Sequence, residues 1–274
     1  MIKQMKILHN NKALNKALKG ISVLNFVPTM GGLHQGHVSL IKNSLNQTGA
    51  TIVSIFINPK QFNDKKDFKK YPRNLNKDLN ILKKLKINFL YLPAYKDIYN
   101  SKNDKEIKLK KNEKILCAKY RKGHFEGVLN VMDRLTKSIK PKKIFMGEKD
   151  FQQFYLVKKF IEKKYNCKVV GCKTIRKKNY LAMSTRNQLL TKRQFEIGGK
   201  IALILKNFKN NLKNKINIKK LILEKSKFLN KEFKIQIEYL ELRNIFNLKL
   251  ATSIKNSRLF VAYKIGNVRL IDNF

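Results

Sequence analysis

The residues best suited to chemistry gather in one short stretch, Pro28-Thr29-Met30-Gly31-Gly32-Leu33-His34-Gln35-Gly36-His37. The chain has four histidines, His9, His34, His37 and His124, and two of them fall three residues apart here. Positions three apart on a helix are neighbours, so both imidazoles project from one side of a helix start. The first N–H groups of a helix lack intrahelical partners and attract anions. Imidazole donates to phosphate oxygens near neutral pH. The stretch therefore predicts a phosphate-binding turn. Zinc is the competing use of paired histidines, but no third ligand lies nearby. The Gly31-Gly32 pair fits neither the dinucleotide fingerprint Gly-x-Gly-x-x-Gly nor the P-loop. The nearest chemistry is adenylate formation, in which a nucleophile attacks the α-phosphate of ATP and pyrophosphate leaves. The protein's task there is positioning and charge stabilisation.

Elements must hold this turn in place. The apolar run 21–27 reads as a buried strand, and Val38, Ile41 and Leu45 recur at helical spacing behind the histidines. The β-branched run 50–57 reads as the next strand. Strand, helix and strand make a right-handed βαβ unit whose ligands gather outside the carboxyl ends of the strands. Asn58-Pro59-Lys60-Gln61-Phe62 falls at the second of those ends, so it should face the histidine turn. Further along, the patterning predicts a helix over 74–86, strands at 88–93, 143–146 and 168–172, and helices from 128 to about 140 and from about 151 to 164. Residues 2–20 have a rough helical face ending at Gly20, and 100–115 read as an exposed hairpin or loop. The repeated strand–loop–helix order predicts an α/β, Rossmann-like, doubly wound, mostly parallel sheet. Near residue 174 the texture changes to helices at 192–211 and 217–230, then strands at 234–242, 257–264 and 268–271. That order suggests a second, smaller α+β C-terminal domain, giving domains 1–174 and 175–274.

Composition narrows the function class. The net charge is +43, which invites a nucleic-acid reading, but 52 of the 61 basic residues are Lys and 9 are Arg. Base readout and bidentate phosphate contacts recruit Arg. Lys, Asn, Ile and Phe rise together, as A+T-rich coding produces. A solvated basic surface is the simpler account, with weak attraction for anions such as ATP. No apolar run is long enough for a membrane span. The cysteines Cys117, Cys167 and Cys172 have no metal-type spacing and read as packing residues in a cytoplasmic chain.

Five motifs occur in a fixed order: Pro28-Thr29-Met30-Gly31 with His34-x-Gly36-His37; Asn58-Pro59-x-Gln61-Phe62; Tyr71-Pro72-Arg73; Gly147-Glu148-Lys149-Asp150-x-Gln152-Gln153; and Met183-Ser184-Thr185-Arg186-Asn187. In this order they resemble the pantoate–β-alanine ligase (pantothenate synthetase) family of the His-x-Gly-His nucleotidylyltransferases. The likeness spans essentially the whole chain, including the ending Val268-Arg269-Leu270-Ile271-Asp272-Asn273. It implies ATP-dependent condensation of pantoate with β-alanine through pantoyl adenylate, yielding pantothenate, AMP and pyrophosphate. By the same resemblance, Met30, Gly31, Gly32, Leu33, His34, Gln35, Gly36 and His37 bind ATP. His34 and His37 sit on the phosphates, and His37 is the acid that aids pyrophosphate departure. Gly147, Glu148, Lys149 and Asp150 match the adenosine segment and Ile175 a further adenine contact. Met183, Ser184, Thr185 and Arg186 match a mobile phosphate loop. Gln61 and Gln153 resemble the pantoate-binding glutamines, with Gln61 also placing β-alanine and Asn58 beside it. Mg²⁺ is implied with the nucleotide, and a homodimer as the assembly.

Blander readings stand beside these. Ser184 is a candidate helix N-cap, and Tyr71-Pro72-Arg73 reads as a structural turn. Arg121-Lys122-Gly123-His124 departs from the family's Arg-Pro-Gly-His at Lys122, which loosens that loop, so Arg121 and His124 enter only as neighbours of the site. The rival functions are another His-x-Gly-His nucleotidylyltransferase and a basic RNA-binding protein.

Overall fold

Alternating buried runs and amphipathic helices assemble into two units. The computed structural model describes residues 5–63, 68–69, 71–99, 107–213 and 217–274. In chain order the elements are β1 (Lys6–Leu8), α1 (Asn11–Leu18), β2 (Leu24–Thr29), α2 (Gln35–Leu45), β3 (Ala50–Ile55), α3 (Leu75–Lys84), β4 (Phe89–Tyr91), α4 (Tyr95–Ile98), α5 (Cys117–Tyr120), α6 (His124–Ile139), β5 (Lys143–Gly147), α7 (Phe151–Lys164), β6 (Lys168–Cys172), α8 (Lys192–Asn211), α9 (Ile218–Phe233), β7 (Gln236–Asn244), β8 (Ser257–Ile265) and β9 (Val268–Asn273). One unit comprises Met1–Glu148 and Gln153–Lys173; the other comprises Lys149–Gln152 and Thr174–Phe274. Of the expected adenosine segment, Lys149 and Asp150 thus group with the C-terminal unit, while Gly147 and Glu148 stay with the first.

The first unit is a parallel sheet in the order β1-β4-β3-β2-β5-β6. The chain moves outward from β2 to β3 and β4, then returns to β5 on the other side of β2. That reversal is the topological switch point, where open α/β sheets bind ligands. The loop after β2 carries the histidines, and Gly147-Glu148 leaves the adjacent end of β5. Beneath the turn, Val27, Leu33, Ile41, Val53, Leu90 and Phe145 are buried together. Their burial on both faces explains why these strands read as continuous apolar runs.

Local structure differs from the patterning in three places. The helix expected over 2–20 begins only at Asn11, because Lys6–Leu8 pair in parallel with Phe89–Tyr91 at the sheet edge. Lys6 and Ile7 are exposed and Leu8 is buried, and Asn10 caps the helix by accepting from the Ala13 N–H (2.8 Å). The helix expected from 128 starts at His124, behind Gly123 in the left-handed region (φ 81°). The segment 100–115 has a short 3-10 turn at Lys111–Glu113, and its residues 100–106 lie outside the described ones.

The second unit packs α8 and α9 around Leu181, Ile201, Leu205 and Leu229, against Leu259 and Val261 of the antiparallel sheet β7-β8-β9. The three cysteines are buried; burial pushes the Cys167 thiol up to about 12 and the Cys172 thiol up to about 11, as inert packing residues require. Among the described residues no helix is long and apolar enough to cross a membrane.

Candidate active site

His34 and His37 are built into the start of α2. His34 is the N-cap, and its Nδ1 accepts from the Gly36 N–H (3.1 Å); His37 Nδ1 accepts from the His34 N–H (3.3 Å). The pair forms a reciprocal capping box, with histidines where Ser and Glu are usual. An Nδ1 that accepts places the neutral ring's proton on Nε2. Both imidazoles are therefore Nε2–H tautomers held at the helix start, their ring centroids 4.2 Å apart.

The preceding loop is anchored by a residue the motifs did not reveal. Asp78, on α3 and 2% exposed, accepts from the Gly32 N–H (2.8 Å) and the Leu33 N–H (2.7 Å). Gly31 lies at φ 78°, and a Cβ there would sit 3.0 Å from the same carboxylate, so only glycine fits. The Gly31 N–H goes to Thr29 Oγ1 (3.2 Å). The N–H groups of Gly31, Gly32, Leu33, His34 and Gly36 thus all donate within the protein. Gln35 is exposed on the first turn.

The glutamine turn meets this loop as the topology requires. Pro59–Gln61 form a 3-10 turn capped by Asn58, whose Oδ1 accepts from the Lys60 N–H (3.2 Å). Gln61 is 7% exposed and donates through Nε2 to Met30 Sδ (2.6 Å), joining the two motifs. Asn58 is 1% exposed; its Nδ2 donates to Gly127 O (3.0 Å) and Gln61 Oε1 (3.4 Å), and Tyr99 Oη donates to its Oδ1 (2.8 Å). Asn58 stands behind Gln61 and orients it. Burial raises the Tyr99 phenol, which keeps that donor protonated. Behind the turn, α6 comes so close that a Cβ on Gly127 would lie 2.3 Å from Lys60 O. Arg121 and His124 also reach it, through His124 Nδ1 at 2.7 Å from Gln61 O and Arg121 Nη1 at 2.8 Å from His124 Nε2. Tyr71-Pro72-Arg73 is structural: Tyr71 is buried edge-on to Phe62, and Arg73 donates to Phe68 O.

Gly147 ends β5, Glu148 follows it, and Gln153 lies on the first turn of α7. In the second unit, Lys149 O accepts from Asn273 Nδ2 (2.9 Å), and Asn273 Oδ1 accepts from Arg258 (2.7 Å). Phe151 packs edge-on to Phe260 under the Arg258 guanidinium. These contacts draw Lys149, Asp150 and their neighbours to the C-terminal strands. Lys149 Nζ lies 3.5 Å from Asp150 Oδ1. Ile175 and the Met183–Arg186 loop are brought together by the Met183 N–H to Ile175 O bond (2.9 Å). Ser184 is indeed a cap, but of the 3-10 turn Thr185–Leu189, and Thr185 is buried; α8 has its own capping box, Thr191 with Gln194. Arg176 pairs bidentately with Asp272 (2.6 and 2.9 Å). Burial raises the Asp272 carboxyl despite the pull of Arg176.

The whole chain decides the family. The sequence model of the family described as pantoate-beta-alanine ligase matches residues 2–274. The chain belongs to the pantoate–β-alanine ligase family. It is 39% identical over 270 residues to the pantothenate synthetase of Flavobacterium psychrophilum, covering 95% of this chain and 94% of that protein. It is 40% identical over 257 residues to that of Francisella tularensis subsp. mediasiatica, covering 92% and 88%. A crystal structure of the pantoate-beta-alanine ligase from Francisella tularensis, complexed with beta-gamma ATP and beta-alanine, superposes with a TM-score of 0.83 at 36% identity, covering 98% of this chain and 97% of that one. A family structure from Thermus thermophilus has a TM-score of 0.87 at 26% identity, covering 98% of each. Family membership makes this chain a ligase, with ATP as a substrate.

Proposed function

We propose that the His34–His37 pair and the Gln61 turn carry the family's reaction in this chain. In the first step a pantoate carboxylate oxygen bonds to the α-phosphorus of ATP, and the bond from that phosphorus to the bridging oxygen breaks, releasing pyrophosphate. In the second, the amine of β-alanine attacks the acyl carbon of pantoyl adenylate, loses a proton and forms the amide of pantothenate as AMP departs. The observation that carries the assignment is the pair of Nδ1 acceptors in the capping box. It puts the ring protons on Nε2, where they serve phosphate oxygens as charge develops. His37 gives the leaving pyrophosphate the Nε2–H hydrogen bond that a ring with an accepting Nδ1 offers, in place of the proton that the resemblance implies, and His34 supports it. Gln61 and Gln153 bind the pantoate hydroxyls, Asn58 fixing the Gln61 carboxamide. The resemblance assigns Gly147, Glu148, Lys149, Asp150 and Ile175 to adenosine, and Met183, Ser184, Thr185 and Arg186 to the phosphates.

Mg²⁺ enters as MgATP. Among the described residues there is no cluster of three His, Cys, Asp or Glu side chains of the kind that holds a metal ion. The enzyme works in the cytoplasm as a homodimer, which sedimentation at enzyme-assay concentration tests. Pantoate-dependent exchange of pyrophosphate into ATP, followed by β-alanine-dependent AMP release, tests the function itself. His37→Ala should slow the exchange by roughly 10²-fold or more, the range for such groups. A near-normal rate removes the role of His37, and no exchange by the folded parent overturns the whole reading.

A further inference from the structure

Outside the expected site residues, the buried His124 makes contact with the Gln61 turn itself. It occupies the first position of α6 and is 7% exposed. Its Nδ1 lies 2.7 Å from the carbonyl oxygen of Gln61, and its Nε2 lies 2.8 Å from Nη1 of Arg121. A carbonyl only accepts and a guanidinium only donates. The two neighbours therefore dictate the ring between them: neutral, with its proton on Nδ1 and a lone pair on Nε2. The opposite tautomer would set a lone pair against the carbonyl and an N–H against an N–H.

The bond does not stand alone. Asn58 Nδ2 donates to Gly127 O (3.0 Å), and Asn63 Nδ2 donates to Lys122 O. The segment 121–127 thus grips the segment 58–63 at three backbone carbonyls, and only the His124 bond acts on Gln61's own backbone. The Gln61 side chain reaches the other way, to Met30 of the histidine loop. Where the carboxamide lies depends on where that peptide is held. The Lys122 side chain plays no part in the grip, which explains how Lys replaces the family's proline there.

We propose that His124, locked as its Nδ1–H tautomer by Arg121, is a positioning residue that sets the Gln61 carboxamide for the acid substrate. It rests on the assignment of Gln61 to pantoate. It differs from a general structural role because its effect falls on pantoate rather than on ATP. A displaced carboxamide misplaces one reactant, and displacements near 1 Å cost up to about 10²-fold.

The test uses the full-length enzyme and pantoate-dependent pyrophosphate exchange. His124→Ala should raise the pantoate KM by roughly 10- to 100-fold and leave the ATP KM within about 3-fold. His124→Asn places an amide N–H near the Nδ1 position and should recover most of the loss. His124→Gln places its amide near the Nε2 position and should not. In the unmodified enzyme, ¹⁵N histidine spectra should show His124 protonated at Nδ1, a readout that survives even if the alanine variant fails to fold. An Nε2–H ring, equal rescue by Asn and Gln, or parallel rises in both KM values would each overturn the proposal. Gln61→Ala separates the two readings. If it leaves the pantoate KM unchanged, the assignment of Gln61 fails; if it raises the KM while His124→Ala does not, only the positioning role fails.

Discussion

Replacing Gly127 by alanine is the most direct test of how the helix behind the site sets its geometry. A Cβ at this position would lie 2.3 Å from Lys60 O, 2.7 Å from Lys60 C and 2.9 Å from Gln61 N. All three are backbone atoms, so no side chain can swing aside. Real Cβ atoms essentially never come closer than 3.0 Å, so helix α6 and the 3-10 turn must part by about 0.7 Å at the least. That separation stretches the Asn58 Nδ2 to Gly127 O bond, now 3.0 Å, toward the limit of hydrogen bonding. The packing strain should cost about 1–3 kcal/mol of stability. Moving Gln61 by most of an ångström should lower kcat/KM for pantoate by roughly 10- to 100-fold, since misplacement of about 1 Å costs on the order of 10². The ATP KM should stay within about 2-fold, because the Asp78 anchor of the histidine loop is untouched. Steady-state exchange kinetics with each substrate varied in turn, beside thermal melts, would read both effects. Gly20→Ala is the control. Gly20 also lies at positive φ (81°), but nothing approaches within 4 Å, so the substitution should cost about 1 kcal/mol of stability and leave pantoate kinetics unchanged. Normal pantoate kinetics in a folded Gly127→Ala enzyme would refute the claim that this close approach sets the Gln61 turn.

Other perturbations follow from the same contacts. Asp78→Asn removes one of two charge-assisted acceptors and turns an amide N–H toward a backbone N–H. It should cost about 2 kcal/mol and raise the ATP KM at least roughly 10-fold; an unchanged ATP KM would show that the loop holds its shape without Asp78. Asp272→Asn leaves Arg176 without its bidentate partner and should destabilise the protein by about 3 kcal/mol in denaturant unfolding. Because burial outweighs the attraction of Arg176 at that carboxyl, the double variant Arg176→Met/Asp272→Leu should recover at least half of the loss. Failure to recover would show that the pair is needed for more than its own charge balance.

Much of the site is legible in the amino-acid order. The His34/His37 spacing, the apolar runs on either side and the amide-rich Asn58–Gln61 turn are local features, and a βαβ unit brings the ends of neighbouring strands together without further instruction. The texture change near 174 marks the second unit for the same reason: its strands and helices follow a different order.

The remaining decisions lie in contacts between residues far apart in sequence. Asp78 looks like one acidic residue of a surface helix, and only the docking of α3 brings it under the Gly31–Leu33 loop, 45 positions back. Lys6–Leu8 has the composition of a helix start, and pairing with β4 makes it a strand. Lys149–Gln152 follow a first-unit strand, yet Asn273, 124 residues later, binds the Lys149 carbonyl and draws the segment to the C-terminal strands. The glycine–histidine cluster at Arg121–His124 is visible in the sequence, but the tautomer of His124 is set by Gln61 O, 63 positions away, together with Arg121. The sequence by itself determined which side chains are able to handle phosphate and an acid substrate, because spacing along a strand or helix fixes which side chains share a face. Tertiary structure decided what holds those side chains still, because hydrogen-bond partners for buried backbone groups come from whichever element packs there.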